Sequence, residues 1–251
     1  MIFSISTNLL RSSEQREILR LHTSCIVVIS PQIETTSAGV ARLVTLDLHA
    51  AQLQGFFDMP VDNLIAAPAL CTYLRQHGLE GNGIVVVSPD AGDVPRAELF
   101  AKRLKSSLAI VVKRRPEPDV SEVTQIVGDI RGKIAVIVDD IISTGGTLAK
   151  AAEALIALGA TQVYACVTHA VFAGDAIRVL DESAIQKVVV TDTIPHDGAR
   201  LSSKFEVLSA APILADAIKR ISANRSVSEL FEDHGPSDMP LPKISNESVP
   251  A

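Results

Sequence analysis

Tryptophan is absent from the 251-residue sequence, and aromatic residues make up only 4% of it. The apolar share of 47% is carried instead by Val, Ile, Leu and Ala, the composition of buried parallel strands with covering helices. This favours an α/β fold. Cysteine is scarce: Cys25, Cys71 and Cys166 show no CxxC spacing, which argues against a zinc knuckle and a disulfide framework and points to a reducing cytoplasm. No apolar run approaches the roughly 20 residues of a membrane helix. The run CIVVIS at residues 25–30 is too short and badly placed for a signal peptide. The chain therefore reads as soluble, cytoplasmic and without a membrane partner. Positive charge is also short, since the formal net charge is -6, so nothing global draws the chain to nucleic acid or acidic lipid. The local run Lys113-Arg114-Arg115 suits a small anionic ligand instead.

What is present is a regular alternation. Residues 12–21 carry weak helical periodicity, and CIVVIS and the polar break PQIETTSAG follow. From Arg42 the pattern sharpens into strand-like runs: RLVTLDLH, IVVVS, LAIVV, IAVIV, VYACVT and KVVVT. Helical patterns fall at residues 97–105, 147–158, 175–180 and 212–221. Strands and helices alternating through short loops predict a doubly wound, mainly parallel sheet. Such sheets bind ligands at the carboxyl ends of their strands. The residues to inspect are therefore 47–49, 89–90, 113–115, 139–147 and 192–193, and Lys113 to Arg115 are expected on a loop. The stretch from residue 232, rich in Pro, Ser and charge, predicts a disordered tail.

The most informative of these places is VDDIISTGGT, residues 138–147, followed by the helix formers LAKAAEALIAL. A glycine-led helix start presents backbone N–H groups and a favourable dipole to an anion, and Ser143, Thr144 and Thr147 add hydroxyl donors. Gly145 and Gly146 allow a phosphate to approach closely. Asp139 and Asp140 would repel a phosphate but accept hydrogen bonds from sugar hydroxyls nearby. A sugar phosphate satisfies both halves. The plainer alternative is a tight turn capped by Thr144 or Thr147. Neither GxxxxGK[ST] nor GxGxxG occurs, so triphosphate and dinucleotide cradles lose support.

This stretch resembles the binding loop of the type I phosphoribosyltransferase fold, and four further segments narrow the likeness. DLHAAQLQGFFDMPVDNL (47–64), VVVSPDAGDVPRAELFAKRL (85–104), KRRPEPDVSEVTQIVGDIRGK (113–133) and VVVTDTIP (188–195) are each similar to segments of the ribose-phosphate pyrophosphokinases. The resemblance runs from about residue 39 to residue 231. It implies pyrophosphoryl transfer from Mg-ATP to the 1-hydroxyl of ribose 5-phosphate, giving phosphoribosyl diphosphate and AMP for nucleotide biosynthesis. It implies Mg²⁺ as cofactor, with His49 and Asp90 as its ligands, and Lys113 as the catalytic lysine. Arg115, Asp139, Asp140, Ser143, Thr144, Gly145, Gly146 and Thr147 would hold substrate. Arg96 matches a family arginine, with a ligand role and a structural ion pair equally open.

The family pattern also implies homo-oligomers, or co-assembly with a complete synthetase subunit. Its adenine segment (FSDGE) and ATP-loop segment (YARQDRK) have no counterpart string here. Residues 1–66 are accordingly expected to be a remnant of an N-terminal half and residues 67–231 the ribose-phosphate-binding domain. A non-catalytic, regulatory relative is the alternative function, and a phosphoribosyltransferase acting on a base ranks last. Ser143 stands where the family has Asp, and Asp93 where it has glycine.

Overall fold

Valine and isoleucine, stiff at χ1 and suited to a pleated surface, are the commonest strand residues. The computed structural model describes residues 2–5, 40–114, 123–196, 201–231 and 241–244. The chain divides into two units, Met1–Ala66 and Ala67–Ala251.

In the first unit, β1 (Ile2–Ile5) runs antiparallel to β2 (Arg42–Leu46), which lies parallel to β3 (Val61–Leu64). A 3-10 segment at Ala51–Phe56 joins β2 to β3. Arg42 and Asp62 pair across the two strands. The predicted helix at residues 12–21 and the run CIVVIS lie outside the described residues.

The second unit opens with α1 (Ala67–Gln76) and continues through β4 (Ile84–Ser88), α2 (Val94–Leu104), β5 (Ser107–Arg114), β6 (Val123–Val127) and β7 (Ile134–Ile142). It ends with α3 (Gly146–Ala157), β8 (Gln162–Ala170), α4 (Ala176–Glu182), β9 (Ile185–Thr191), β10 (Phe205–Leu208) and α5 (Ala211–Ser222). Seven strands form one sheet in the order β10-β9-β8-β7-β4-β5-β6. Every neighbouring pair is parallel except β5–β6. The fold is thus the doubly wound, mainly parallel α/β sheet the sequence predicts.

One face of the sheet packs Val85, Val87, Ala135, Ile137, Val163 and Ala165 against Leu148, Ala152 and Leu155 of α3 and Leu180 of α4. Strand side chains alternate between faces, so Val86 and Val136, also fully buried, serve the other face. At β4 and β7 the chain reverses the direction in which it adds strands, and ligands bind at such switch points.

Three expectations change. Lys113 and Arg114 are the last residues of β5 rather than loop residues, because β6 offers an antiparallel partner and the ladder continues to Lys113↔Thr124 and Arg114↔Val123. Asp139 and Asp140 lie inside β7, which pairs with β8 as far as Ile142↔Ala170. In the expected disordered tail, residues 241–244 lie on the sheet edge. Lys243 bridges antiparallel to Leu208, and Ser209 and Ile244 donate N–H bonds to Pro242 O and Val207 O at 2.9 and 3.0 Å. Leu241 is buried there, and Lys243 pairs with Glu206.

Candidate functional site

Two neighbouring strands deliver the acids. β4 ends at Ser88, whose hydroxyl donates to Asp90 O at 2.7 Å and bends the chain away from the sheet. The Asp90 carboxylate closes this turn, accepting the N–H groups of Gly92 (2.7 Å) and Asp93 (3.1 Å) on Oδ1. Asp93 precedes α2, with Pro95 within the first helical positions. Arg96, in the first turn of α2, donates its Nε to both Asp93 oxygens, at 3.1 and 2.9 Å. Its Nη2 lies 3.8 Å from Asp140 Oδ2. Arg96 therefore does form the ion pair that the sequence left open.

β7 supplies the second pair of acids. Asp140 is buried and Asp139 half-buried, and Asp139 Oδ1 accepts the N–H of Asp140 at 2.9 Å. Burial first, then the neighbouring charges of Asp140 and Asp93, push the Asp139 carboxyl up to about 7. Asp93 is also raised, to about 6, by burial first, although the Arg96 charge opposes the rise.

Beyond β7 the chain turns into α3 without a capping side chain. Gly145 is the residue before the helix, with φ 74° in the left-handed region. The first N–H groups of α3 thus have no side-chain acceptor. This removes the plainer alternative, in which Thr144 or Thr147 caps the turn. Ser143, Thr144 and Thr147 are exposed, and among the described residues their hydroxyls have no partner. The loop is held from behind. Ile142 O accepts the N–H groups of Val171 and Phe172 at 2.9 and 3.2 Å, and Ser143 O that of Ala173 at 3.0 Å. Seven predicted residues, Asp139, Asp140 and 143–147, therefore follow one another along a single strand end and helix start, with Asp90 in the turn after the adjacent strand β4.

The remaining predicted residues divide. His49 is exposed in the first unit, just past β2. It follows Asp47, which has φ 44° and accepts the Ala66 N–H on Oδ2 at 3.1 Å. Lys113 is placed by its backbone alone, and Arg115 lies outside the described residues. Asp192, one of the strand-end residues singled out in the sequence, has structural contacts. Its carboxylate takes the Ala210 N–H (2.6 Å) and the Ser209 hydroxyl (2.9 Å) ahead of α5. Thr193 likewise belongs to a buried network with His169 Nδ1 (2.8 Å) and Thr191.

Among the described residues no three His, Cys, Asp or Glu side chains gather as a metal site. With one Asp90 oxygen already accepting two N–H groups, the donors fit only a cation that brings its own waters and phosphate oxygens, which is the habit of Mg²⁺. Among the described residues no helix is long and apolar enough to cross a membrane. A cavity of about 640 Å³ beside α4, lined by Phe172, Arg178, His196 and Leu201 among others, contains none of the acids described above.

Comparison with known proteins decides the relationship. Residues 115–232 match the model of the phosphoribosyl synthetase-associated domain. A ribose-phosphate pyrophosphokinase of Caldanaerobacter subterraneus is 52% identical over 196 residues, covering 78% of this chain and 62% of that protein. Over most of its length the chain is similar to the ribose-phosphate pyrophosphokinases. Another pyrophosphokinase relative, from Listeria ivanovii, is 50% identical over 205 residues, covering 82% of this chain and 64% of its own length. The phosphoribosylpyrophosphate synthetase of Mycobacterium smegmatis superposes with a TM-score of 0.71 at 38% identity, over 77% of this chain and 62% of that one. The chain thus spans a little over three fifths of the length of the pyrophosphokinases it matches. The sequence missed how closely Asp93 and Arg96 are joined. Their i, i+3 spacing in DVPR was the available signal.

Proposed function

We propose that the second unit binds ribose 5-phosphate, with Asp139 and Asp140 accepting from the sugar hydroxyls and Ser143 to Thr147 donating to the 5-phosphate. In this reading the chain serves ribose-phosphate pyrophosphokinase chemistry in the cytoplasm, in a homo-oligomer or beside a complete synthetase subunit. The 1-hydroxyl oxygen of the sugar attacks the β-phosphorus of ATP, the bond to the α-phosphate oxygen breaks, and AMP leaves. The observation that carries the reading is the uncapped, glycine-led start of α3 with unpartnered hydroxyls, directly after two acids.

Each half of the substrate meets the chemistry it needs. The α3 N–H groups and hydroxyls favour the phosphate dianion, while the acids, further back on β7, accept hydrogen bonds from the sugar hydroxyls. Asp139 is held high by burial and like charge, so hydroxyl donors that favour its ionised form would make sugar binding release a proton near neutral pH. Asp90 would contribute to holding Mg²⁺, which would supply positive charge to the phosphate oxygens when bound. Lys113, as a point charge, and Arg115, as a planar fork, would steady the transferred group's charge.

Calorimetric titration with ribose 5-phosphate, ribose and inorganic phosphate tests the site, and AMP release from Mg-ATP plus ribose 5-phosphate tests the reaction. The sugar phosphate is expected to bind more tightly than either part, with a binding heat that varies with the ionisation enthalpy of the buffer because a proton is released. Failure to bind it overturns the reading. Binding without AMP, under conditions where a longer relative turns over, leaves the sugar-phosphate site and favours the non-catalytic alternative.

A further inference from the structure

The turn after β4 carries a carboxylate that neither the acid pair nor the phosphate loop requires. Asp93 is fixed at both ends: its N–H is held by Asp90 Oδ1 at 3.1 Å, and its carboxylate grips Arg96 Nε. The Arg96 side chain is only 13% exposed, and that of Asp140 6%. A guanidinium is planar, so fixing its Nε fixes where Nη2 lies. At 3.8 Å from Asp140 Oδ2, that nitrogen is beyond ordinary hydrogen-bond length and acts on the carboxylate as a nearby charge. If it closed by about an ångström, Arg96 would become a donor to the oxygen that the proposed sugar hydroxyls approach.

We propose that Asp93 is a positioning residue for sugar recognition, a tether that keeps Arg96 beside Asp140 yet too far to occupy it. This rests on the sugar-phosphate reading above. The tether joins the Asp90 turn to the acid pair through one continuous set of contacts, Asp90 to Asp93 to Arg96 to Asp140. A substitution at Asp93 should therefore alter recognition of the sugar and leave recognition of the phosphate alone.

The test compares the unsubstituted chain with Asp93→Asn and Asp93→Glu by calorimetry, using ribose 5-phosphate and inorganic phosphate as probes. Asp93→Asn is expected to bind ribose 5-phosphate about tenfold more weakly, the scale of one charged hydrogen bond. Inorganic phosphate affinity is expected to stay unchanged, and Asp93→Glu to recover part of the loss. Equal ribose 5-phosphate affinity in Asp93→Asn and the unsubstituted chain overturns the tether while the sugar-phosphate reading stands. An equal loss for both probes overturns it too, because that is a general disturbance of the site.

A ligand-free measurement separates the two ideas. The Nε–Hε signal of Arg96 in an NMR spectrum should be sharp and slow to exchange in the unsubstituted chain, and lost in Asp93→Asn. If the unsubstituted chain binds no ribose 5-phosphate, the sugar reading falls and this signal alone decides. Loss of the signal on substitution supports the tether, and an unchanged signal overturns it. Asp93→Glu gives the same comparison should Asp93→Asn fold poorly.

Discussion

The paired glycines at the start of α3 should respond oppositely to the same added methyl group. At Gly145 the backbone has φ 74°, and an added Cβ would stand 2.9 Å from Leu180 Cγ and 3.3 Å from both of its terminal carbons. Leu180 is fully buried and packs in the core cluster with α3, so it has little room to yield. The left-handed conformation costs an alanine roughly 1–2 kcal/mol, and overpacking a filled core costs about 1–3 kcal/mol. Gly145→Ala should thus lose about 2–5 kcal/mol, a fall in melting temperature on the order of 5–15 °C for a domain of this size. At Gly146 the nearest atom to an added Cβ is Thr144 Oγ1 at 3.9 Å and φ is not positive. Gly146→Ala should therefore hold or raise stability, by about 0.4–1 kcal/mol. Its methyl group would nevertheless stand on the first residue of α3 and weaken ribose 5-phosphate binding. Differential scanning calorimetry, with and without ribose 5-phosphate, reads both effects. A Gly145→Ala melting within about 1 °C of the unsubstituted chain would refute the packing argument.

Two further outcomes follow from the same geometry. The folded-state pKa of Asp139 is raised from 3.8 to about 7, so the folded chain binds that proton more tightly than the unfolded chain. Its stabilising effect is complete at low pH and is lost as pH rises through about 7. Asp139→Asn should melt progressively higher than the unsubstituted chain as pH climbs from about 4 to about 7, with the difference level above that. A difference that shrinks with rising pH would contradict this. Ending the chain at Pro240 removes Leu241 from its buried position, the two edge N–H bonds and the Lys243–Glu206 pair. The loss should be about 2–3 kcal/mol in urea unfolding, and an unchanged midpoint would show that the segment adds nothing.

The strands rich in β-branched residues were legible because IVVVS, IAVIV and KVVVT admit few alternatives between turn signals. What escaped notice did so for identifiable reasons. Residues 67–74 of α1 are all buried, so no polar stripe marks a helical period, and Pro68 reads as a breaker although it sits near the helix start. β3 and β10 are four residues each, VDNL and FEVL, too short for alternation to stand out. β6, VTQIV, is an edge strand visible only through its pairing with β5. The same pairing carried Lys113 and Arg114 from an expected loop into a strand. At the candidate site, composition and spacing sufficed to single out the glycine-led start of α3 and the two acids of β7. The contact between Arg96 and Asp140 joins positions far apart in the chain, and no local pattern announces it.

The Asp90 turn and the Asp139–Asp140 pair rest on β4 and β7, which pair from Ile84↔Ile134 to Val87↔Ile137 although fifty residues separate the partners along the chain. Contacts of such long sequence separation are closed late, after the cost of ordering the intervening loop has been met. A folding chain that has formed only the β5–β6 pair still has Asp90 and Asp140 on unconnected segments. Recognition at this site is therefore a property of the finished sheet, and ribose 5-phosphate, if it binds as proposed, selects the native chain over every partly assembled one.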